Sequence, residues 1–279
     1  MSKRLLVSVI VPTRNSSETL EACIESIARQ SYEDIELVVI DNNSTDNTKA
    51  IAKQYTKHVL NKGPERSAQR NYGAKKASGD YVLFIDSDME LTPNVVSSCV
   101  TYANKNRGSR AIIIPEESFG EGFWAQCKKL ERSFYVGIDA IEAARFFEKE
   151  LYLKLGGYDE DMVSGEDWDL SKRVAKMTRT GRINEFILHN EGRLRLIKSL
   201  KKKYYYAGLS RTYMQRQNVQ SKLIDSVGPI QRYKLFLSQP GKLFKNPLYG
   251  LGVLFMKTSE FAAGFVGLYV GKDSKQFNK

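Results

Sequence analysis

Asp80-Tyr81-Val82-Leu83-Phe84-Ile85 runs without a break into Asp86-Ser87-Asp88. An apolar run of this length reads as a strand buried on both faces, the habit of a parallel sheet covered by helices. Two carboxylates at its C-terminal end would be costly to bury unless paired or metal-bound. The carboxyl edge of such a sheet is also where α/β proteins bind ligands. Two hard oxygen donors one residue apart suit Mg2+ or Mn2+ holding a diphosphate. Acid-x-acid triplets occur in many exposed turns, so it is the place after a buried strand that gives this one its weight.

The N-terminus repeats the arrangement. Residues 5–11 read as a second buried strand, closed by Pro12-Thr13-Arg14-Asn15. Ser16 or Ser17 is expected to cap a helix carrying Leu20, Cys23, Ile24, Ile27 and Ala28 on one face. Residues 36–40 form the next strand and end in Asp41-Asn42-Asn43-Ser44-Thr45-Asp46. No glycine-rich fingerprint follows the first strand, which argues against a dinucleotide-binding domain. Further helices are expected at 45–55, 67–77 and from Pro93 to Ala103, with strands at 57–61 and 110–115. This alternation predicts an α/β fold with a Rossmann-like, mainly parallel sheet flanked by helices. Beyond it, residues 120–135 read as a mobile helix or loop with an amphipathic face and 143–147 as a short strand. Residues 152–155 read as a helical turn, 166–176 as a helix, and 183–188 as a strand reaching His189.

Charge is unevenly spread along the 279 residues. The net charge is +11, yet residues 193–279 hold 17 Lys and Arg against 3 acids, and residues 1–192 hold 26 against 29. Basic tails bind nucleic acid, anionic lipid, or nothing in particular. Lysines and tyrosines at helical spacing in 196–206 suit a lipid–water interface. The apolar stretch 247–270 is interrupted by Lys257 and Glu260, so an uninterrupted run of membrane-spanning length is absent. The tail reads as amphipathic or interfacial helices, with simple packing onto the domain as the alternative. Cys23, Cys99 and Cys127 share no metal-ligand spacing and read as buried, inert thiols in a reducing compartment. The first strand begins so close to Met1 that no secretory leader is expected.

Four motifs occur in order. They are Val7-Ser8-Val9-Ile10-Val11-Pro12-Thr13-Arg14-Asn15, Val39-Ile40-Asp41-Asn42-Asn43-Ser44-Thr45-Asp46, the stretch from Ala77 through Asp88, and Gly165-Glu166-Asp167. Together they resemble the family-two inverting glycosyltransferases of GT-A fold, over residues 5–191. The resemblance implies that Asp88 is a ligand of Mn2+ or Mg2+, and that Asp86 contacts the ribose or a metal-bound water. It implies that Asp167 is the base that deprotonates the acceptor, with Glu166 beside it on the substrate. Glu166, Asp167 and Asp169 also crowd a helix start, where the dipole stabilises carboxylates while like charges raise a pKa. His189 stands where related enzymes often add a metal-binding histidine, and a structural histidine is the alternative. Pro12, Thr13 and Asn15 would flank the nucleotide base. Asp41 would accept from it, with Asn42 where many relatives carry a second Asp, so the base stays open. Arg66 and Arg70 share a helix face and would reach base or phosphates, or else be surface arginines. Trp168 would stack on an acceptor sugar or sit in the core.

Residues 1–192 are thus expected to form a catalytic, nucleotide-sugar-binding domain, and 193–279 a helical, basic, membrane-associating region. The expected activity is transfer of one sugar from a UDP- or GDP-sugar to a hydroxyl of a lipid-linked glycan. The expected place is peripheral, on an anionic surface at the cytoplasmic face of a membrane. A Gln-x-x-Arg-Trp signature of processive relatives is missing, which favours a single addition. A polyprenyl-phosphate sugar synthase is the alternative, although Met89-Glu90-Leu91-Thr92-Pro93 lacks the usual Gln before Pro. A sugar-nucleotide-forming enzyme would need a glycine-rich loop that Pro12-Thr13-Arg14-Asn15 cannot supply. A non-catalytic nucleic-acid binder using 201–206 is the reading of another class, but no recognised binding motif supports it and no nucleic-acid partner is expected.

Overall fold

The computed structural model describes residues 4–139, 141–162, 165–217 and 228–270. Its contacts divide the chain into two compact units. The first comprises Met1–Glu117, Glu142–Glu160 and Gly165–Asn190; the second comprises Ser118–Ile141, Asp161–Ser164 and Glu191–Lys279.

The first unit is built on strands β1 (Val7–Thr13), β2 (Ile35–Asp41), β3 (Val59–Asn61), β4 (Tyr81–Phe84), β6 (Ala111–Ile113), β8 (Ala144–Glu148) and β9 (Thr180–Arg182). They form one sheet in the order β3-β2-β1-β4-β8-β6-β9. All neighbours pair in parallel except β8, which is antiparallel to both β4 and β6. Alternation sorts the strand residues onto two cores. Val7, Val9, Val11, Leu83 and Ile85 join one cluster, and Ile10, Val82 and Phe84 join the other. Both faces are therefore dry, and each large apolar side chain so buried contributes about 1.5–3 kcal/mol.

Helices α1 (Leu20–Ala28), α2 (Thr48–Tyr55), α3 (Arg66–Lys76), α4 (Val95–Lys105), α6 (Lys149–Lys154) and α7 (Glu166–Ala175) belong to this unit. Short β5 (Met89–Leu91), which sequence alone does not suggest, pairs with β10 (Ile187–Arg193) in a small sheet ordered β5-β10-β7, where β7 is Glu116–Glu121. The strand expected at 183–188 is replaced by β9 and the later-starting β10. Thr19 rather than Ser16 or Ser17 holds the N-cap position of the first helix, without a side-chain capping bond. The Ser16 hydroxyl instead accepts from the Ser87 hydroxyl at 2.9 Å, while its carbonyl accepts from the Thr19 and Leu20 amides and leads the chain into the helix. Ala28 is exposed, so the buried stripe of α1 ends at Ile27.

In the second unit, α5 (Phe123–Ser133), α8 (Leu196–Gln217), α9 (Pro229–Leu237), α10 (Pro240–Leu243) and α11 (Pro247–Val270) are all helical. Cys127, Phe134, Phe236, Leu243, Val253 and Met256 form their own buried cluster. The segment read as a mobile helix or loop is thus the regular helix α5, whose Cys127 side is core. All three cysteines are free and buried, and burial pushes the Cys127 thiol up to about 11, as suits an unreactive group.

Candidate active site

The parallel register sets Thr13 of β1 opposite Asp41 of β2, so the loops after both strands emerge at one edge of the sheet, beside the loop after β4. Asp41 is buried, 1% exposed. Its carboxylate accepts from Thr13 Oγ1 (3.1 Å), the Ser44 hydroxyl (2.5 Å) and the Ser44 amide (2.8 Å), and faces Lys49 at 3.3 Å. Asp41 therefore organises its own loop. Asn42 donates to the Pro64 carbonyl at 2.7 Å. Asn15 is exposed, at a φ of 49°; its amide donates to Ser44 Oγ and its Oδ1 accepts from the Thr45 amide. Pro12 and Thr13 are buried.

Asp86 and Asp88 have opposite surroundings. Arg70 of α3 is 1% exposed and donates through Nη2 to Asp86 Oδ1 at 2.6 Å. Arg145 of β8 and Arg66 of α3 approach Asp86 Oδ2 at 3.8 and 3.9 Å. Burial opposes ionisation of Asp86, but Arg70, Arg145 and Arg66 hold it far below the usual carboxylate range. Arg70 is no surface arginine, whereas Arg66 keeps half of its side chain in water. Close approach of α3 to the sheet is what delivers Arg70. A Cβ on Gly73, one turn along α3, would meet Ile10 Cγ2 at 2.5 Å, so glycine there permits the packing.

Asp88 instead leaves 46% of its side chain exposed, and its Oδ2 lies 3.5 Å from His189 Nε2. The β5–β10 register, with Met89 opposite His189, sets this pair, and the Asn190 amide donates to the Asp88 carbonyl at 2.8 Å. No group of three or more metal-ligating side chains occurs among the described residues. An oxygen and a nitrogen donor this close, the oxygen on a side chain 46% exposed, nevertheless fit a divalent cation that completes its shell with diphosphate oxygens and water.

Gly165, at a φ of 84° in the left-handed region, turns the chain into α7. The first turn carries Glu166, Asp167 and Asp169. Asp167 Oδ1 lies 3.6 Å from Arg70 Nη1 and has no hydrogen-bond partner. Glu166 is buried at 3.7 Å from the same nitrogen; burial, and then the Asp167 charge, push its carboxyl up. Trp168 is half-buried, neither fully in the core nor fully free. The structure thus gathers Arg66, Arg70, Asp86, Glu166 and Asp167 into one network, pairs Asp88 with His189, and keeps Asp41 at the end of β2 and Asn42 and Asn15 in the loops that follow β2 and β1.

Beneath the network, Asn71 ties α3 to the turn after α6. It donates to the Tyr158 carbonyl (2.8 Å) and Glu160 (2.9 Å), and accepts from Tyr152 OH (2.6 Å) and the Tyr158 amide (2.9 Å). Tyr158 in turn lies 5.1 Å under the Arg70 guanidinium. Asn71→Leu would remove the donor to the Tyr158 carbonyl and Glu160, and would leave the Tyr158 amide only its long 3.4 Å bond to the Tyr152 hydroxyl, at about 1–3 kcal/mol for each buried group left unsatisfied. A loss of roughly 3 kcal/mol in urea unfolding is expected, and an unchanged midpoint would contradict this role.

Arg145 is the site residue that sequence reasoning missed. It is 8% exposed, donates through Nε to Glu116 at 2.6 Å, and keeps Nη1 without a hydrogen-bond partner. The signal existed: Ala144-Arg145-Phe146-Phe147 puts one charge into an otherwise apolar strand, the same anomaly that marks Asp86.

Residues 8–156 match the profile of Glycosyl transferase family 2, and the chain belongs to that family. Over 107 residues it is 36% identical to a GalNAc(5)-diNAcBac-PP-undecaprenol beta-1,3-glucosyltransferase of Campylobacter jejuni, a match covering 36% of this chain and 35% of that protein. The chain spans about a third of the length of the first curated relatives it matches. Among solved structures it resembles a mannosyltransferase from Pyrobaculum calidifontis in complex with GDP-Man and Mn2+. That likeness has a TM-score of 0.62 at 16% identity and covers 97% of this chain and 89% of that one. It also resembles glucosyl-3-phosphoglycerate synthase from Mycobacterium tuberculosis in complex with Mg2+ and UDP. Here the TM-score is 0.53 at 20% identity, covering 78% and 81%. At these identities the likenesses establish the fold, which is GT-A.

Proposed function

We propose that this protein is a metal-dependent, inverting glycosyltransferase that moves one sugar from a UDP- or GDP-sugar to a hydroxyl of a lipid-linked glycan, at the cytoplasmic face of a membrane. The observation that carries the reading is the division of labour at the sheet edge. An arginine-caged Asp86 and Asp167 share Arg70, while Asp88, turned away from the arginines and 46% exposed, lies 3.5 Å from His189. The relative that uses an undecaprenol-linked glycan, and the neighbours solved with GDP-Man and Mn2+ or with UDP and Mg2+, support the same reading.

Transfer makes two electrostatic demands. Negative charge develops on the leaving diphosphate, and the acceptor hydroxyl must lose a proton. A divalent cation on Asp88 and His189 would neutralise the diphosphate. The chain itself supplies the rest. Asp167, at the positive end of α7, takes the acceptor proton. Arg70 and Arg145 fix Asp86, which holds the ribose. Pro12, Thr13, Asn15, Asp41 and Asn42 shape the base pocket, with Arg66 at its rim, and Glu166 and Trp168 border the acceptor. Residues 1–192 would be the catalytic part and 193–279 the membrane-associating part.

Nucleotide release from a panel of UDP- and GDP-sugars, with Mn2+ and without acceptor, tests this. Slow hydrolysis of one donor is expected. Silence with every donor, together with no nucleotide binding, would overturn the proposal.

A further inference from the structure

Helix α11 is turned inside out. Leu248, Leu251, Phe255, Val266, Tyr269 and Val270 recur at helical spacing along one face and are 45–67% exposed. The opposite face holds the helix's charges, with Lys257 and Glu260 only 4% and 3% exposed beside buried Val253 and Met256. A helix packed on a water-facing protein has the reverse pattern. The buried charges are fully engaged. Lys257 Nζ lies 2.6 Å from Glu260 and 3.0 Å from Glu131 of α5, and Lys128 lies 2.8 Å from Glu131. Tyr135 donates to Glu131 at 2.6 Å, and Ser199 of α8 donates to Glu260 at 3.2 Å.

By length and composition, α11 could cross a bilayer. Its midpoint, however, is bonded through Lys257 and Glu260 to α5 and α8, and α5 is neither long nor apolar enough to accompany it. The apolar surface is one face of a helix, which suits lying in an interface. Charge says which interface. Lys198, Lys201, Lys202 and Lys245 are exposed, the last leading directly into Leu248, whereas the Lys242 ammonium is held by the Ser133 carbonyl at 2.9 Å. Among the described residues of 193–270 the one carboxylate, Glu260, is buried. Exposed Tyr204 and Tyr205 of α8 add the amphipathic rings that settle at headgroup level. A second copy on the same face would bring two lysine rims together.

We propose that the exposed face of α11, with its flanking lysines, docks on an anionic phospholipid bilayer, the helix lying in the headgroup plane without crossing. This deepens the membrane part of the proposed function and rests on it. The purified full chain should co-sediment with vesicles of equimolar phosphatidylglycerol and phosphatidylcholine, release in high salt, and leave vesicles of phosphatidylcholine alone largely unbound. Leu251→Asp with Phe255→Asp should weaken vesicle binding by roughly tenfold or more, and Lys198→Glu with Lys245→Glu should remove the preference for anionic lipid. Both pairs should leave acceptor-free donor hydrolysis unchanged. Vesicle binding untouched by either pair would overturn the proposal. So would membrane retention through alkaline carbonate, which marks a span, or a dimer in solution that the aspartates dissociate while vesicles go unbound. Absence of donor hydrolysis in the wild type would strike the transferase reading alone and leave the vesicle result standing.

Discussion

Asp167→Asn is expected to lower kcat for transfer by about 10²–10⁴-fold, the usual contribution of a positioned general base, while donor binding stays near wild type. The substitution keeps shape and removes only the basic oxygen. The carboxylate is set by the Gly165 turn and the first turn of α7; its buried Oδ1 lies 3.6 Å from Arg70 Nη1, and the side chain as a whole keeps 33% of its surface in water. It is thus held in place by one oxygen and reachable by an acceptor hydroxyl through the other. Turnover with saturating donor and acceptor, alongside calorimetric donor affinity, separates the two effects. A variant that loses donor affinity with kcat intact would assign Asp167 to donor binding instead.

Arg70→Met is expected to cost about 3–5 kcal/mol of stability, because removing one partner of a buried ion pair leaves the other charge uncompensated. Arg66 and Arg145 remain at 3.9 and 3.8 Å from Asp86, which places the expected loss at the lower end. The pH dependence has a definite sign. Asp86 is held far below its unfolded value by Arg70, Arg145 and Arg66 against the cost of burial. Its stabilising contribution is therefore complete above the unfolded pKa of about 3.9 and drains away as pH falls toward the folded value. The variant should unfold in acid at a higher pH than wild type and lie below it in urea stability at pH 7. Equal midpoints at both pH values would mean that Asp86 does not depend on Arg70.

Much of the site was legible because buried polar residues are conspicuous against apolar runs. Asp86 and Asp88 follow a dry strand, and Glu166-Asp167 follows a glycine at a helix start. Arg66 and Arg70 share a helix face, though spacing alone could not say that Arg70 turns inward while Arg66 stays wet. That depended on Gly73, whose missing side chain draws α3 onto Ile10. The Asp86–Asp88 pair illustrates another limit. Sequence places the two side by side, yet the chain turns immediately into β5, so one acid faces three arginines and the other faces His189 and solvent. Strand β5 itself escaped notice because three residues carry too little periodicity, and its pairing with β10 is a long-range contact. In the tail, Lys257 and Glu260 read as interruptions of an apolar helix. Glu131, the partner of Lys257, lies far back in the chain, so only the folded structure shows that the charges point inward and the apolar face outward.

The most direct test of the account is calorimetric titration of UDP and GDP into wild type, Asp88→Ala and His189→Ala, each with Mn2+ and with a chelator. One nucleotide is expected to bind wild type tightly only with Mn2+. Loss of even an outer-shell partner weakens metal sites by about 10–100-fold, so each variant, lacking a direct ligand, should fall by at least that much. Nucleotide affinity that is the same with Mn2+ or chelator, and the same in all three proteins, would contradict a diphosphate held through metal on Asp88 and His189.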